Sequence, residues 1–417
     1  MFAIFLNAWK VKDIRKKLLY VFLMLAIYRL GCTLVGIPGL DITSLMAQSG
    51  AGTEPSLFSL IMGGGIGKVF YMGIGPYINA SIIMQLLTVA IPKLEALQKD
   101  SEDGRKKINQ YTRIVAVCLA VLQASGTVYS MHNFFFHPNW FVWIVAVLSL
   151  VTGTIFVMWM SELLTEKGIG NGSSFIIFAN ILSSLPAGVT MMWNMVEGNG
   201  VQGAITVAVI LVVFVAIIGF VVLVQDGERR IPVQYSRKMV GRNQYGGQSS
   251  YIPIKVNIAG VMSIIFAISL LQFPQTIQQF VPGAAWLDSV VKFLSINTYQ
   301  GAALYVILIF CFTFFYTSFA INPIEMAENM KKNGGFVMGI RPGKPTSDYI
   351  DRTVKRLSWV GALVYSIVAL VPIVIQWITK QNVGIGGTTM LIVVGVALEI
   401  VKQLESQLLM KNYKGFL

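Results

Sequence analysis

Long apolar segments recur along the chain, and they constrain its fold more than any other feature. A helix that crosses the hydrocarbon core of a bilayer needs about 20 mostly apolar residues. Ten windows of this kind lie at about 18–37, 72–91, 112–131, 140–161, 173–192, 204–225, 257–274, 302–321, 357–378 and 387–404. Charged residues make up 12% of the chain, about half of the usual share in soluble domains. Since backbone groups in lipid must pair within their own segment, we predict an all-α polytopic membrane protein with ten transmembrane helices.

The charges that remain are unevenly distributed. The 417 residues include 32 lysines and arginines but 19 acidic residues, which gives a net charge of +13. Composition alone leaves two partners open, a nucleic acid or a membrane surface. By position, 28 of the 32 cations lie at the two ends of the chain or in loops after even-numbered spans. This asymmetry follows the positive-inside rule, so we predict that both termini are cytoplasmic.

Two of the basic loops are longer than orientation requires. They cover 226–257 and 325–356, they are 32 residues long each, and both combine glycines, aromatic residues and cations. One interpretation is that their cations only orient the chain and contact lipid phosphates. The other is that the loops dock a large partner, and the residues alone leave both interpretations open.

The segment 55–79 is apolar but interrupted. Ser56 can cap a short helix over 57–62, which three glycines then end before a new start at Pro76. Such a helix is too short to cross a bilayer, and irregular backbone is tolerated at that depth only when protein buries it or it lines a cavity. We therefore predict a piece that folds back into the membrane from outside, with a plain external loop as the alternative.

Ionisable residues are scarce in the spans. Arg29, Glu162 and Glu399 lie within or near the ends of three different spans, so no proton relay along one helix is visible. The two histidines share an external loop without a nearby cysteine or carboxylate, and the glycine run at 63–69 lacks the other residues of a phosphate loop. We predict no catalytic residues, no metal site and no cofactor.

Eight sequence blocks, taken in order, carry a resemblance to a known family. They are PYINASIIMQLLT at 76–88, GRKKINQYTR at 104–113, TEKGIGNGSSFIIF at 165–178, ERRIPVQYSRK at 228–238, IPIKVNIAGV at 252–261, GFVMGIRPGKPT at 335–346, GGT at 386–388 and QLESQLLM at 403–410. With these blocks the chain resembles the SecY/Sec61 alpha family, the channel subunits of Sec protein-translocation complexes. The resemblance runs along nearly the whole chain.

The resemblance implies a specific architecture. It implies two five-helix halves, 1–192 and 203–417, which are related by an inverted pseudo-twofold axis and joined by an external hinge loop at 193–202. An hourglass pore would run between the halves, closed from outside by a plug at about 55–67. The implied plug residues are Leu57, Phe58, Leu60, Ile61, Gly63, Gly64 and Gly65.

Further sites follow from the same resemblance. The ring at the waist of the pore maps onto Ile78, Ile82, Ser173, Ile177, Ile265 and Ile392. Because isoleucine is common at the position of Ser173, a slightly wider or wetter ring is expected. A lateral gate between spans two/three and seven/eight would be latched by Gln85, Thr88 and Asn257. Docking of a motor or a ribosome maps onto Arg229, Arg230, Arg237, Lys238, Arg242, Arg341 and Lys344.

The implied function is a passive protein-conducting channel in the bacterial plasma membrane. It would pass unfolded, signal-bearing preproteins across the membrane and release membrane segments into lipid. It is not expected to be an enzyme, because SecA or the ribosome would supply the energy. The implied partners are SecE, SecG, SecA, the ribosome with its RNA, the signal sequence and membrane lipid. A secondary transporter of a small solute is the alternative, and a membrane-bound enzyme is a third class.

Overall fold

The computed structural model describes residues 8–41, 44, 65, 67–100, 102–136, 139–235, 238–240, 243–245, 249–256, 260–278, 285–296, 298–379 and 387–414. Over these residues the protein is a bundle of helices with a small sheet at one end. The helices are α1 Lys12–Leu34, α2 Gly75–Ala90, α3 Pro92–Asp100, α4 Glu102–Ser130, α5 Trp140–Lys167, α6 Gly172–Asp226, α7 Met262–Gln278, α8 Ala285–Leu294, α9 Tyr299–Ala320, α10 Pro323–Lys332, α11 Lys344–Thr379 and α12 Gly387–Lys414. The strands are β1 Glu228–Tyr235, β2 Lys238–Val240, β3 Asn243–Tyr245, β4 Ser249–Lys255 and β5 Gly335–Val337.

Helices lie at all ten predicted spans, but not all of them qualify as spans by themselves. Within the described residues, seven helices are long and apolar enough to cross a membrane. They are Lys12–Leu34, Asp103–Ser130, Trp140–Lys167, Gly172–Gly198, Gly200–Asp226, Tyr299–Lys332 and Lys344–Trp377. The pair α2–α3, bent by 106°, would add an eighth. The count of ten spans therefore stays a prediction.

The predicted hinge loop at 193–202 is helical apart from one residue. Within α6 only Gly200 leaves the helical conformation, with φ 54° and ψ −129°. No atom lies within 4 Å of the place where its Cβ would be. Glycine is therefore required here by the backbone angles and not by close packing. The fifth and sixth predicted spans are thus joined by a glycine kink.

The two basic loops form one folded unit, which was not predicted from the sequence. Strand β1 lies between β4 and β5 and pairs antiparallel with both, so that Ile231 faces Ile252 and Val233 faces Val337. One apolar cluster joins this sheet to α10 and α11. Its buried members are Ile231, Val233, Ile254, Met330, Val337, Ile350 and Val354. The name "sheet unit" is used below for β1–β5, α10 and the start of α11.

The chain that leads into α2 is wedged between α1 and α5. The Phe70 ring stacks between Tyr28 and Phe156, with ring centroids 6.1 and 5.7 Å away. A Cβ on Gly153 of α5 would lie 2.4 Å from the carbonyl oxygen of Val69. Glycine is therefore needed at this position, because any side chain would push the backbone of the wedge away from α5.

Gly153→Ala should lower the free energy of unfolding by about 1–3 kcal/mol, because the new methyl group meets backbone rather than a movable side chain. Gly219→Ala is the matched control, since no atom lies within 4 Å of its Cβ position on α6. That change should be neutral or stabilise the protein by up to about 1 kcal/mol through helix propensity. Thermal unfolding of both variants in one detergent tests this, and equal unfolding temperatures would contradict the close approach.

Candidate functional site

A cavity of about 1410 Å³ lies between the two predicted halves. It is called the central cavity here, and its walls come from α2, α4, α5, α6, β4, α7, α9 and α12. Along α12 the lining changes from Ile392 to Lys402, about 15 Å apart on the helix axis. The charged lining residues are three cations and three carboxylates, namely Arg113, Lys255, Lys402, Glu162, Glu166 and Glu399. The cavity is therefore polar towards the sheet unit, apolar farther along α12, and without net formal charge.

Most of the predicted pore ring borders this cavity. The five ring residues in its lining are Ile78, Ser173, Ile177, Ile265 and Ile392. The sixth, Ile82, is buried one turn farther along α2 and belongs to the same apolar cluster as the other four isoleucines. Each of the five isoleucines is at most 8% exposed, so side chains rather than open space fill this part of the bundle. Their role as a ring stays a prediction.

Ser173 is the polar member of the predicted ring, and its hydroxyl has a partner. Its Oγ lies 2.9 Å from the Oγ of Ser161 on α5. The Asn171 side chain caps α6 by accepting from the Ser173 N–H at 3.0 Å, and Thr165 Oγ1 accepts from the Gly172 N–H at 2.9 Å. A Cβ on Gly172 would lie 1.9 Å from the Ser161 carbonyl oxygen. The TEKGIGNGSS block thus builds a tight turn that fixes the serine between α5 and α6.

The predicted gate residues are only partly described, because Asn257 lies outside the described residues. The half-buried Gln85 donates from Nε2 to Ser81 Oγ at 3.3 Å, while its buried Oε1 has no hydrogen-bond partner among the described residues. Thr88 is buried and donates to the Met84 carbonyl of its own helix at 2.6 Å. Helix α4 lies against α7, so two of the predicted gate helices are in contact. Gln85 has an acceptor to offer a latch partner, whereas the Thr88 hydroxyl already donates within its own helix and could only accept.

Predicted docking residues lie on the exposed side of the sheet unit. Arg229 and Arg230 are exposed on β1. Arg230 donates from Nε to Glu228 Oε1 at 2.6 Å, and its guanidinium lies 4.8 Å from the Tyr251 ring centroid. Lys238 begins β2. The two remaining residues of the first loop, Arg237 and Arg242, lie outside the described residues.

The second docking loop holds the backbone of Arg341 in place. Thr346 is buried and donates from Oγ1 to the Arg341 carbonyl at 2.8 Å. Gly343, at φ 101°, accepts from the N–H groups of Thr346 and Ser347 at 3.0 and 3.1 Å. The side chains of Arg341 and Lys344 are exposed, and no carboxylate in the described part of the chain pairs with Arg341. The arginine is therefore presented on a fixed turn with its charge available.

Two ion pairs in the cavity wall were not predicted. Arg113 Nε lies 2.7 Å from Glu162 Oε1 and joins α4 to α5. Lys402 Nζ lies 2.8 Å from Asp226 Oδ1 and joins α12 to α6. Their partners are far apart in the chain, so hydropathy and loop charge cannot reveal them. No cluster of three or more potential metal ligands occurs within the described residues.

Comparison with known proteins gives the family. The SecY profile matches residues 68–401. The protein translocase subunit SecY of Streptomyces coelicolor is 42% identical over 443 aligned residues, which cover 100% of both chains. The protein of the same name from Halalkalibacterium halodurans is 41% identical over 436 residues, again with 100% of both chains covered.

Solved structures share the fold. A protein-conducting channel aligns with a TM-score of 0.68 at 18% identity, over 93% of this chain and 91% of that one. Sec61 from a canine ribosome–channel complex aligns with a TM-score of 0.65 at 16% identity, over 93% and 91%. These likenesses confirm the predicted all-α polytopic membrane fold. Since the profile spans most of the chain and the relatives match all of it, the chain belongs to the SecY family.

Proposed function

We propose that this protein is a channel that conducts unfolded, signal-bearing polypeptides across the plasma membrane. The central cavity carries the proposal, because its lining changes from charged residues near the sheet unit to buried isoleucines. Its volume of about 1410 Å³ exceeds the roughly 300–1,000 Å³ of typical small-molecule pockets, which disfavours a transporter of a small solute. Because its wall carries equal numbers of cations and carboxylates, it would repel neither acidic nor basic segments of a passing polypeptide.

Apolar, branched side chains suit the waist of such a channel. Hydrophobic contact is non-directional, so isoleucines can close around any passing chain without a sequence preference. A hydrophobic constriction also blocks ions by dewetting. Membrane segments would leave sideways through a gate between spans two/three and seven/eight, into lipid. The channel has no catalytic role in this proposal, and a motor or ribosome supplies the energy.

We also propose the finer architecture that the family resemblance implies. Two five-helix halves, 1–192 and 203–417, would form ten spans and articulate at the kink in α6. The distribution of cations supports cytoplasmic termini. A plug at about 55–67 would close the outer side. Of the seven residues named for the plug only Gly65 is described, and its carbonyl accepts from the Lys68 N–H at 3.2 Å, next to the wedge that leads into α2.

The sheet unit is the proposed docking site for SecA and for the ribosome. Its exposed arginines suit carboxylate or phosphate partners, including ribosomal RNA. Support comes from Sec61, a structural neighbour found in a ribosome–channel complex. SecE and SecG complete the proposed assembly on the family resemblance alone.

Reconstituted translocation tests the proposed function. The purified chain with SecE and SecG, in proteoliposomes, receives SecA, ATP and a preprotein. We expect protease-protected preprotein only when ATP and the signal sequence are both present, and the same preprotein without its signal is the matched control. Accumulation of a small solute against its gradient, without preprotein transport, would overturn the proposal in favour of a transporter.

The gate assignment predicts a crosslink. In a background with Cys118 and Cys311 replaced by serine, Gln85→Cys with Asn257→Cys should form a disulfide that stops the release of membrane segments. Interhelix hydrogen bonds in membranes contribute about 1 kcal/mol each, so the native latch opens easily whereas the covalent one does not. Leu86→Cys with Asn257→Cys is the control, since Leu86 is exposed on a different face of α2. If the 85–257 crosslink does not form in any nucleotide state of SecA, the gate lies elsewhere.

A further inference from the structure

Helix α8 is a short amphipathic helix between α7 and α9. Its 10 residues extend about 15 Å, half of the length that a bilayer core requires. It follows the end of α7 that is distant from β4 and the sheet unit. In the proposed topology this is the outer side of the membrane.

Three stripes of side chains run along α8, because residues three and four apart share a face of a helix. The stripe that is buried or half-buried consists of Leu287, Val291 and Leu294. A second stripe is apolar but 68%, 38% and 52% exposed, and consists of Trp286, Val290 and Phe293; it is called the exposed stripe below. The third stripe is polar and consists of Asp288, Ser289 and Lys292. The helix is thus built for three environments, which are protein, an apolar phase and water.

Contacts at both ends of α8 fix which way the exposed stripe faces. Gln278, the last residue of α7, donates from Nε2 to Asp288 Oδ1 at 2.6 Å. Beyond α8, a Cβ on Gly301 would lie 1.9 Å from the Ser295 carbonyl oxygen, so the connecting turn packs tightly on the first turn of α9. Thr298 Oγ1 accepts from the Gly301 N–H at 3.1 Å and caps α9. Rotation of α8 about its axis would break the contact between Gln278 and Asp288.

The surroundings of the exposed stripe identify its partner. The neighbouring helix α7 exposes Phe273 and Ile277 in its last turns, and in a polytopic membrane fold such residues face lipid. Tyr299, at the start of α9, is also exposed. Tryptophan and tyrosine favour the boundary between headgroups and acyl chains, where amphipathic helices insert their apolar face. We propose that α8 lies in the interface of the outer leaflet, with the exposed stripe inserted among the lipids and the polar stripe in water.

Spin labels can map the three environments of α8. The complex, with exposed native cysteines replaced by serine, is labelled singly and placed in vesicles of phosphatidylethanolamine and phosphatidylglycerol. Labels at Val290→Cys and Phe293→Cys should collide more with oxygen than with a water-soluble nickel chelate. Labels at Ser289→Cys and Lys292→Cys should show the reverse ratio.

Reference sites calibrate the measurement. Ile307→Cys on α9 provides the lipid limit and Glu328→Cys on α10 the aqueous limit, since both residues are exposed. If the labels at 290 and 293 collide with the nickel chelate as often as the label at 328 does, α8 lies in water and the proposal fails. If they are shielded from both reagents, a protein partner covers the stripe and the proposal fails as well.

A second measurement avoids labels on α8. Lipids brominated near the headgroup should quench the emission of Trp286, and this quenched component should be missing in Trp286→Phe. The difference between the two spectra isolates one of the eight tryptophans. An unquenched difference spectrum would overturn the lipid contact. Both measurements are independent of whether the chain conducts proteins.

Discussion

Arg341→Glu should abolish SecA-driven translocation while the complex stays assembled. The side chain is exposed, and its backbone is held by the buried Thr346, so the charge change leaves the fold intact. The planar guanidinium binds a carboxylate or phosphate with two parallel hydrogen bonds. Once the interface with SecA buries such a pair, loss of one partner costs about 2–5 kcal/mol, which weakens SecA binding by roughly thirtyfold or more.

Two further variants separate a specific contact from general charge. Arg341→Lys keeps the positive charge but loses the planar fork, so an intermediate defect is expected. Lys331→Glu makes the same change of charge at an exposed residue of α10 in the same unit and should have little effect on SecA binding or transport. SecA affinity and preprotein transport are measured for each variant. Normal transport by Arg341→Glu would remove this residue from the docking surface, and equal damage by Lys331→Glu would show that only net charge counts.

Ile177→Ala combined with Ile265→Ala should strongly raise ion leak through the resting complex. Both side chains line the central cavity, and a wider waist can hold the water that a narrow apolar constriction expels. Ion conductance across planar bilayers measures the effect. Deletion of 57–65 in the same variant should raise the leak further, because the proposed plug would be missing.

The chain offers a matched control one residue away at each site. Ile176 and Ile264 are fully buried but do not line the cavity. Their replacement by alanine should cost about 2–5 kcal/mol each in the free energy of unfolding, without added leak. The expected result is thus leak for one pair and instability alone for the other. Equal conductance in both pairs would place the constriction at other residues.

Hydropathy located the helices well but not the structure between them. The sheet was missed because β5 pairs with β1 from a loop about a hundred residues farther along the chain, and such pairing leaves no local signal. The sequence does place the apolar residues Ile231 and Val233 two positions apart, as in a strand with one buried face, but it gives no sign of the partner strand. The kink at Gly200 lies within the external hinge loop 193–202 that the family resemblance implies, and this one glycine suffices for the bend.

The candidate pore shows a different limit of sequence reasoning. Ile78 and Ile392 were assigned through the family resemblance, since an isoleucine that faces lipid and one that lines a cavity look alike in a sequence. The ion pair between Arg113 and Glu162 was hidden for a similar reason. Its cation obeys the positive-inside rule, and nothing nearby in the chain distinguishes an orienting charge from a paired one.

The sheet unit has a mechanical consequence. Strand β1 follows α6 directly, β4 leads towards α7, and β5 lies between α10 and α11, so all of its attachments belong to the proposed C-terminal half. A motor bound to this unit would therefore hold the proposed C-terminal half alone. We expect a push or pull at the proposed docking surface to move that half relative to the other, and so to change the width of the cavity between the two proposed halves.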